Sequence, residues 1–282
     1  MDSSLAIRSK GAEGVDYEID LRIQLLLTAL LIGVAYYVGA LLSFTLRVPS
    51  TRSSILWIPN AILLAAFVVT PVKRWWLWTL AAFPAHLLAQ SRDAAPILVL
   101  CCPFVANVAQ AALAAFSLRL LTEAPHRLES LRNMGIFIVV AVIGVPAVVS
   151  FTAAWLFVLA GWETDYWLVG QARLLNNVVT GLTAAPLCLA IAGGDLNKLR
   201  CLKFRRYVEF AVVVLGLVVI LALTSAWHAA ETINFPIRLY APLPFLLWAA
   251  VRFGPPGLAI SLLAVAYDSI SDSIFGPAPR VT

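Results

Sequence analysis

The sequence predicts an all-α protein, a polytopic bundle of transmembrane helices, and two observations support this fold class. Hydrophobic residues make up 61% of the 282 residues, charged residues make up only 12%, and the mean hydropathy is +0.90. A soluble domain carries about 25% charged residues and about 45–50% apolar residues. The apolar residues also lie in continuous runs, whereas a transmembrane β-barrel needs short strands in which apolar and polar residues alternate.

About nine candidate spans follow one another along the chain, and their lengths are compatible with eight to ten. A transmembrane helix needs about 20 residues, so the short, proline-marked segments are expected to be tilted or packed inside the bundle. The predicted spans are 23–46, 55–72, 75–90, 96–121, 134–161, 171–192, 207–227, 238–251 and 255–271.

The distribution of Lys and Arg predicts a cytoplasmic N-terminus. With the spans above, 14 of the 20 cationic side chains fall on the side of the N-terminal tail, residues 1–22. Cytoplasmic loops of membrane proteins carry such an excess of cations. The strongest anchor is the basic loop 193–206, and the acidic, aromatic loop 162–165 fits the outer face. An odd number of spans then places Thr282 outside.

Amide side chains inside the apolar runs form the candidate binding site. Asn107 and Gln110 lie three residues apart, on one face of a predicted helix. Asn176, Asn177 and Thr180 share a face of another. A polar group in hydrocarbon is costly unless it is paired. These side chains therefore either join helices by hydrogen bonds or line a central polar pocket for a ligand.

Arg173 precedes this amide pair by one helical turn. It either extends to the outer membrane interface or faces the same pocket, where Asp268 or Glu163 could pair with it. His86 ends a short span, and a single histidine in that position is more often a structural residue than a ligand or a pH sensor.

No catalytic or metal-binding motif is present in the sequence. There is no His-Glu-x-x-His, no Gly-x-Ser-x-Gly and no phosphate-binding glycine loop, and the 3 histidines lie in separate regions. We therefore expect no enzymatic activity, no metal and no cofactor in this chain. The net charge of +5 resides in short loops and not on a soluble face, so nucleic acid is not an expected partner.

Three stretches carry a resemblance to a known family: 56–61, 177–187 and 240–257. Through them the chain resembles the bacterial membrane-associated sensor domain of the first type. The residues at its motif positions are Trp57, Pro59, Asn60, Gly181, Pro186, Arg252, Gly254 and Pro255. At the first motif Asn60 and Ala61 stand where the family tends to have small residues and glycine. One departure concerns chemistry: Asn176 and Asn177 stand where the family usually has Gly-Asp, so the carboxylate is absent here.

The resemblance implies an integral-membrane sensory domain, residues 23–279, in the bacterial cytoplasmic (inner) membrane. It would pass a stimulus to a cytoplasmic histidine kinase or diguanylate cyclase, as in two-component signal transduction. The implied partners are membrane lipid, a small-molecule or membrane-protein stimulus, the output domain and a second copy of the chain. In relatives one more helix follows, so residues 280–282 would be a tail that ends before that helix and the output domain.

The alternative from a different class is a small-solute transporter or a transporter-partner module. Short proline-interrupted segments near both ends and a weak internal similarity are typical of transporter binding sites. The scarcity of ionisable residues inside the spans argues against ion-coupled transport.

Overall fold

The computed structural model describes residues 3–47, 54–91, 97–125, 127–128, 130–194, 204–229 and 240–275. Within these ranges the chain is helical, and the only extended pairing is an isolated bridge between Arg47 and Ser54. The all-α prediction is therefore confirmed. The helices are α1 Ser3–Phe44, α2 Ile58–Val69, α3 Trp75–Gln90, α4 Ile97–Leu121, α5 Leu131–Ile136, α6 Val145–Leu159, α7 Tyr166–Ala192, α8 Phe204–Ala229 and α9 Leu243–Phe275.

Six segments among the described residues are long and apolar enough to cross a membrane, which makes the chain a multi-pass membrane protein. They are Arg22–Phe44, Leu100–Leu121, Leu131–Leu159, Tyr166–Ala192, Phe204–Thr224 and Leu243–Ser271. Helices α2 and α3 have 12 and 16 residues, fewer than the roughly 20 that a span needs. The count of nine spans and the cytoplasmic N-terminus stay predictions.

The last two predicted spans are the two parts of α9, which is broken at Gly254. This residue has φ +67° and ψ −160°, a region that is essentially restricted to glycine. Before the break, the ring of Phe245 lies against Gly216 of α8. After the break, Leu263 packs in a cluster with Val179 of α7. The two parts of α9 therefore pack on different helices.

A π-helix, Phe137–Gly144, joins α5 to α6 in one continuous span. The N–H of Val145 donates to the carbonyl of Val140, five residues earlier. Pro146 follows directly, and a proline in a regular α-helix clashes with the carbonyl four residues before it. The wider turn before Pro146 relieves this clash, and the sequence pattern gave no sign of it.

Helix α2 lies at the centre of the bundle, where it contacts α1, α4 and α7. Nine of its 12 residues are buried. By contrast, one face of α1 exposes large aliphatic side chains such as Leu26, which is 70% exposed, and Leu31. In a bilayer, lipid covers such a face. The bundle thus encloses the short helix that carries the first family motif.

Exposed tryptophans lie near helix ends, where a bilayer meets water. Trp76 is in the first turn of α3, and Trp155 and Trp167 flank the turn between α6 and α7. Tryptophan is enriched at both membrane–water interfaces because its ring is apolar and its N–H is polar. These positions agree with membrane boundaries at the ends of α3, α6 and α7.

Candidate functional site

Three buried side chains form a polar network between α2, α6 and α7. The Asn60 Nδ2 group donates to Asn177 Oδ1 at 2.9 Å, and Asn177 Nδ2 donates to Ser150 Oγ at 3.2 Å. All three residues are less than 10% exposed. In a bilayer such interhelical hydrogen bonds contribute about 0.6–2 kcal/mol each. The network therefore fixes how three helices pack at the centre of the bundle.

The same face of α7 also binds the entry to α2. Thr180 Oγ1 accepts a hydrogen bond from the backbone N–H of Trp57 at 2.8 Å, while its hydroxyl donates to the carbonyl of Asn176. The Asn176 side-chain amide donates to the carbonyl of Ser54. The backbone N–H groups at the start of a helix have no partner within it. Helix α7 supplies one of the partners that the start of α2 lacks.

Helix α1 supplies a second hydrogen-bond partner for the start of α2. Ser43 Oγ accepts from the N–H of Ile58 at 3.1 Å, and the Ser54 hydroxyl bonds the Ser43 carbonyl at 2.6 Å. Pro59, the next residue, has no N–H to satisfy, which is why proline is favoured in the first turn of a helix. The Trp-Ile-Pro-Asn motif thus starts α2 with the N–H groups of Trp57 and Ile58 satisfied by side chains of neighbouring helices.

A small cavity of about 20 Å³ lies beside the amide network. It is bounded by α2, α4, α7 and the π-helix, and its polar lining comes from Asn60, Gln110, Asn177 and Thr180. A cavity holds one water molecule when roughly 10–15 Å³ are free. This volume has room for about one water molecule and not for an organic solute.

The C-terminal end of α2 is held by a cation from α4. Arg119 Nη2 donates to the carbonyls of Phe67 and Val68, both at 2.9 Å, and also to that of Thr70. The last carbonyls of a helix have no partner within it, and a cation there also interacts favourably with the helix dipole. Trp75 Nε1 donates to the same Phe67 carbonyl at 2.9 Å. Both ends of α2 are therefore fixed by side chains outside it.

An open cleft of about 490 Å³ lies next to this end of α2. Its lining residues come from the C-terminal ends of α2, α4 and α7 and from the segment after α4, and they include Arg119, Glu123 and Gly193. The cleft has the volume of a small-molecule site. The guanidinium group of Arg119 in this lining already donates to carbonyls at the end of α2.

His86 forms a second polar cluster, which connects α1 with α3 and α4. Its Nδ1 lies 3.0 Å from the Tyr36 hydroxyl, and its Nε2 lies 3.1 Å from the Leu100 carbonyl. The side chains of His86 and Tyr36 are fully buried, and Phe104 packs on the rings of both. Every ring nitrogen of His86 has a partner, so its geometry is that of a structural histidine.

The structure separates the amide pair that the sequence placed on one face of α4. Gln110 lines the central cavity, whereas Asn107 lies beside the Tyr36 hydroxyl, in the His86 cluster. Asn176 binds the Ser54 carbonyl and does not line the cavity. The predicted polar residues thus belong to three neighbouring sites.

Arg173 lies apart from the cavity, with its guanidinium carbon 5.3 Å from the centre of the Phe157 ring. The pairing with Asp268 or Glu163 that was considered from the sequence stays a prediction. A cation over an aromatic face gains electrostatic attraction without a carboxylate.

The remaining motif residues have structural positions. A side chain on Gly181 would come within 3.0 Å of Val142 in the π-helix, so this glycine permits close packing of α7. Pro186 lies inside α7. Arg252 Nε donates to Glu209 Oε1 at 2.6 Å, directly before the break at Gly254 and Pro255. This ion pair joins α9 to α8.

Sequence reasoning missed Ser43, Ser150 and Arg119. A serine in an apolar helix commonly bonds its own backbone, as Ser43 also does with the carbonyl of Gly39. Nothing in the sequence distinguishes it from a serine that joins two helices. Arg119 ends an apolar run, a position that is equally typical of an interfacial cation. No group of three or more metal-ligating side chains occurs among the described residues.

Comparison with known families identifies the chain over most of its length. The family model MASE1, a membrane-associated sensor domain, matches residues 28–277. No curated protein and no solved structure matches the chain.

Proposed function

Because the chain belongs to the MASE1 family of membrane-associated sensor domains, we propose that it passes a stimulus to a cytoplasmic histidine kinase or diguanylate cyclase. MASE1 domains are sensory membrane domains rather than catalytic ones. In this proposal the chain lies in the bacterial inner membrane with its N-terminus in the cytoplasm. The stimulus is a small molecule or a membrane protein, and the signal is a change in helix packing.

The attachment of α2 at both ends supports this proposal. Thr180 and Asn177 of α7 bind its first turn, and Arg119 of α4 binds its last. A displacement of α7 along α2 therefore has to break hydrogen bonds at one end while those at the other end persist. A stimulus can drive such a change only if it binds two arrangements with different affinity. The amide network is the element on which we expect that difference to act.

The test uses the chain together with its natural downstream sequence, read from the gene past the codon for Thr282. We expect a kinase or cyclase domain there, whose autophosphorylation or cyclic di-GMP synthesis changes in the Ser150→Ala variant. Thr152→Val is the matched control, because Thr152 lies on the exposed face of the same helix and its hydroxyl donates to the Val148 carbonyl of that helix. A downstream stop codon, or an output that Ser150→Ala leaves unchanged, would overturn the proposal.

A flux measurement separates this function from solute transport. The full chain in proteoliposomes is expected to release no trapped small solute, because the central cavity of about 20 Å³ is too small to admit one. Release that is lost on changing Asn107, Asn177 or Arg173 would instead establish a transporter.

A further inference from the structure

We propose that the central cavity is a binding site for a single water molecule, which bridges Asn60 of α2 and Gln110 of α4. This site goes beyond the signalling role and does not depend on it. The water would donate to Asn60 Oδ1 and accept from the Gln110 side-chain amide.

The first observation is an unsatisfied acceptor. Asn60 uses its Nδ2 group for Asn177, which fixes the orientation of the amide and turns Oδ1 away from that partner. Asn60 Oδ1 is buried and accepts no hydrogen bond from any residue that the structure describes. A buried amide oxygen without a partner loses its hydration without compensation, so this position favours a donor inside the cavity.

The second observation is an amide of α4 in the lining of the same cavity. Gln110 is only 8% exposed and lines the same cavity. Within the described ranges of the chain its side-chain amide has no hydrogen-bond partner. A glutamine amide carries two donors and one acceptor. It can therefore donate to the oxygen of a water molecule in the cavity.

The other polar groups of the lining are already occupied. Asn177 accepts from Asn60 and donates to Ser150. The Thr180 hydroxyl accepts from the Trp57 N–H and donates to the Asn176 carbonyl. Among the described residues, Asn60 Oδ1 and the Gln110 amide are the polar groups of the lining that lack a hydrogen-bond partner, and a bridge would join these two groups.

Volume and charge select water as the occupant. The free volume of about 20 Å³ fits one water molecule. A sodium ion would have a similar size, but all residues that line the cavity are uncharged. A cation at bilayer depth without a compensating carboxylate is costly. A neutral water molecule satisfies both amides without introducing a charge.

This water would complete the connection of the central helices. Direct hydrogen bonds link α2 to α7 and α7 to α6, and among the described residues no direct hydrogen bond joins this network to α4. A bridge from Asn60 to Gln110 adds α4. Helices α2, α4, α6 and α7 would then share one continuous polar network.

The first experiment is a density map of the full chain in lipid nanodiscs at a resolution that shows ordered water. We expect one peak within hydrogen-bonding distance of both Asn60 Oδ1 and the Gln110 amide. A direct contact between the two amides, or an empty cavity, would overturn the proposal.

The second experiment is a double-mutant cycle on the melting temperature of the purified chain. Gln110→Met keeps the length of the side chain without the amide and is expected to lower the melting temperature by about 4 °C. When Asn60→Leu is already present the bridge is gone, so we expect Gln110→Met to have at most half that effect. Thr28→Val on the exposed part of α1 is the control and should add independently to Asn60→Leu.

Additivity of Asn60→Leu and Gln110→Met would show that no shared ligand couples them. The cycle is repeated in sodium chloride and in choline chloride. Equal melting temperatures in the two salts are expected for water. A sodium-dependent rise that disappears in Gln110→Met would assign the cavity to the ion and overturn the proposal.

Discussion

Asn60 and Asn177 are 117 residues apart in the sequence, and their side-chain amides share a hydrogen bond of 2.9 Å. Both residues are buried within apolar helices. Neither lipid nor an aliphatic neighbour can replace the missing partner of a buried amide. This pair therefore fixes the register of α2 against α7 more strongly than the surrounding alanines and leucines do.

Replacement of Asn177 by leucine is expected to destabilise the folded bundle by about 1–2 kcal/mol, because Asn60 Nδ2 loses its acceptor and Ser150 its donor. Asn177→Asp keeps the acceptor for Asn60, and the Ser150 hydroxyl can rotate to donate to it. In thermal unfolding in detergent, the unchanged protein should therefore have the highest melting temperature, Asn177→Asp the second highest and Asn177→Leu the lowest. Equal melting temperatures for the two variants would contradict this assignment.

Replacement of Arg119 by methionine is expected to destabilise the protein by about 1–3 kcal/mol, because the α2 carbonyls lose a charged donor. The stability of Arg119→Lys should lie between that of the unchanged protein and that of Arg119→Met, since an ammonium group keeps the charge but lacks the flat, forked arrangement of donors. Arg132→Met serves as the control, because Arg132 is exposed at the start of α5. Melting temperature is again the measurement, and a control as damaging as Arg119→Met would refute the role of Arg119.

Two glycine-to-alanine variants should change stability in opposite directions. A methyl group on Gly33 would lie 3.0 Å from the backbone oxygen of Ala81, which cannot rotate away, so α1 and α3 must separate. We expect a loss of about 1–3 kcal/mol. Gly135 in α5 has no atom within 4 Å of the added methyl group, and alanine should stabilise that helix by about 0.5–1 kcal/mol. Parallel unfolding curves test both signs.

The predicted orientation can be tested in intact cells with a membrane-impermeant thiol reagent. On a background with the 4 native cysteines replaced by alanine, Glu163→Cys should react from outside and Lys73→Cys only after lysis. Both positions are exposed in the structure. The reverse pattern would place the N-terminus outside.

The fold class and the long spans could be predicted because hydropathy accumulates along a helix independently of its neighbours. Asn177 and Thr180 also stood out, since a polar residue in an apolar run is conspicuous. The spacing of Asn107 and Gln110 predicted a shared helix face, but it could not reveal which helices lie on either side of that face. The π-helix before Pro146 depends on a local choice between two hydrogen-bond patterns that have nearly the same sequence signature.

The short length of α2 has a consequence for the biogenesis of the bundle. A helix of 12 residues extends about 18 Å, well short of the roughly 30 Å of hydrocarbon, so it cannot be inserted as a span by its own hydrophobicity. Its partners Arg119 and Thr180 are synthesised later, Thr180 on the order of ten seconds later at typical rates of translation. The nascent α2 must therefore wait at the translocon or the membrane surface until α4 and α7 have been made.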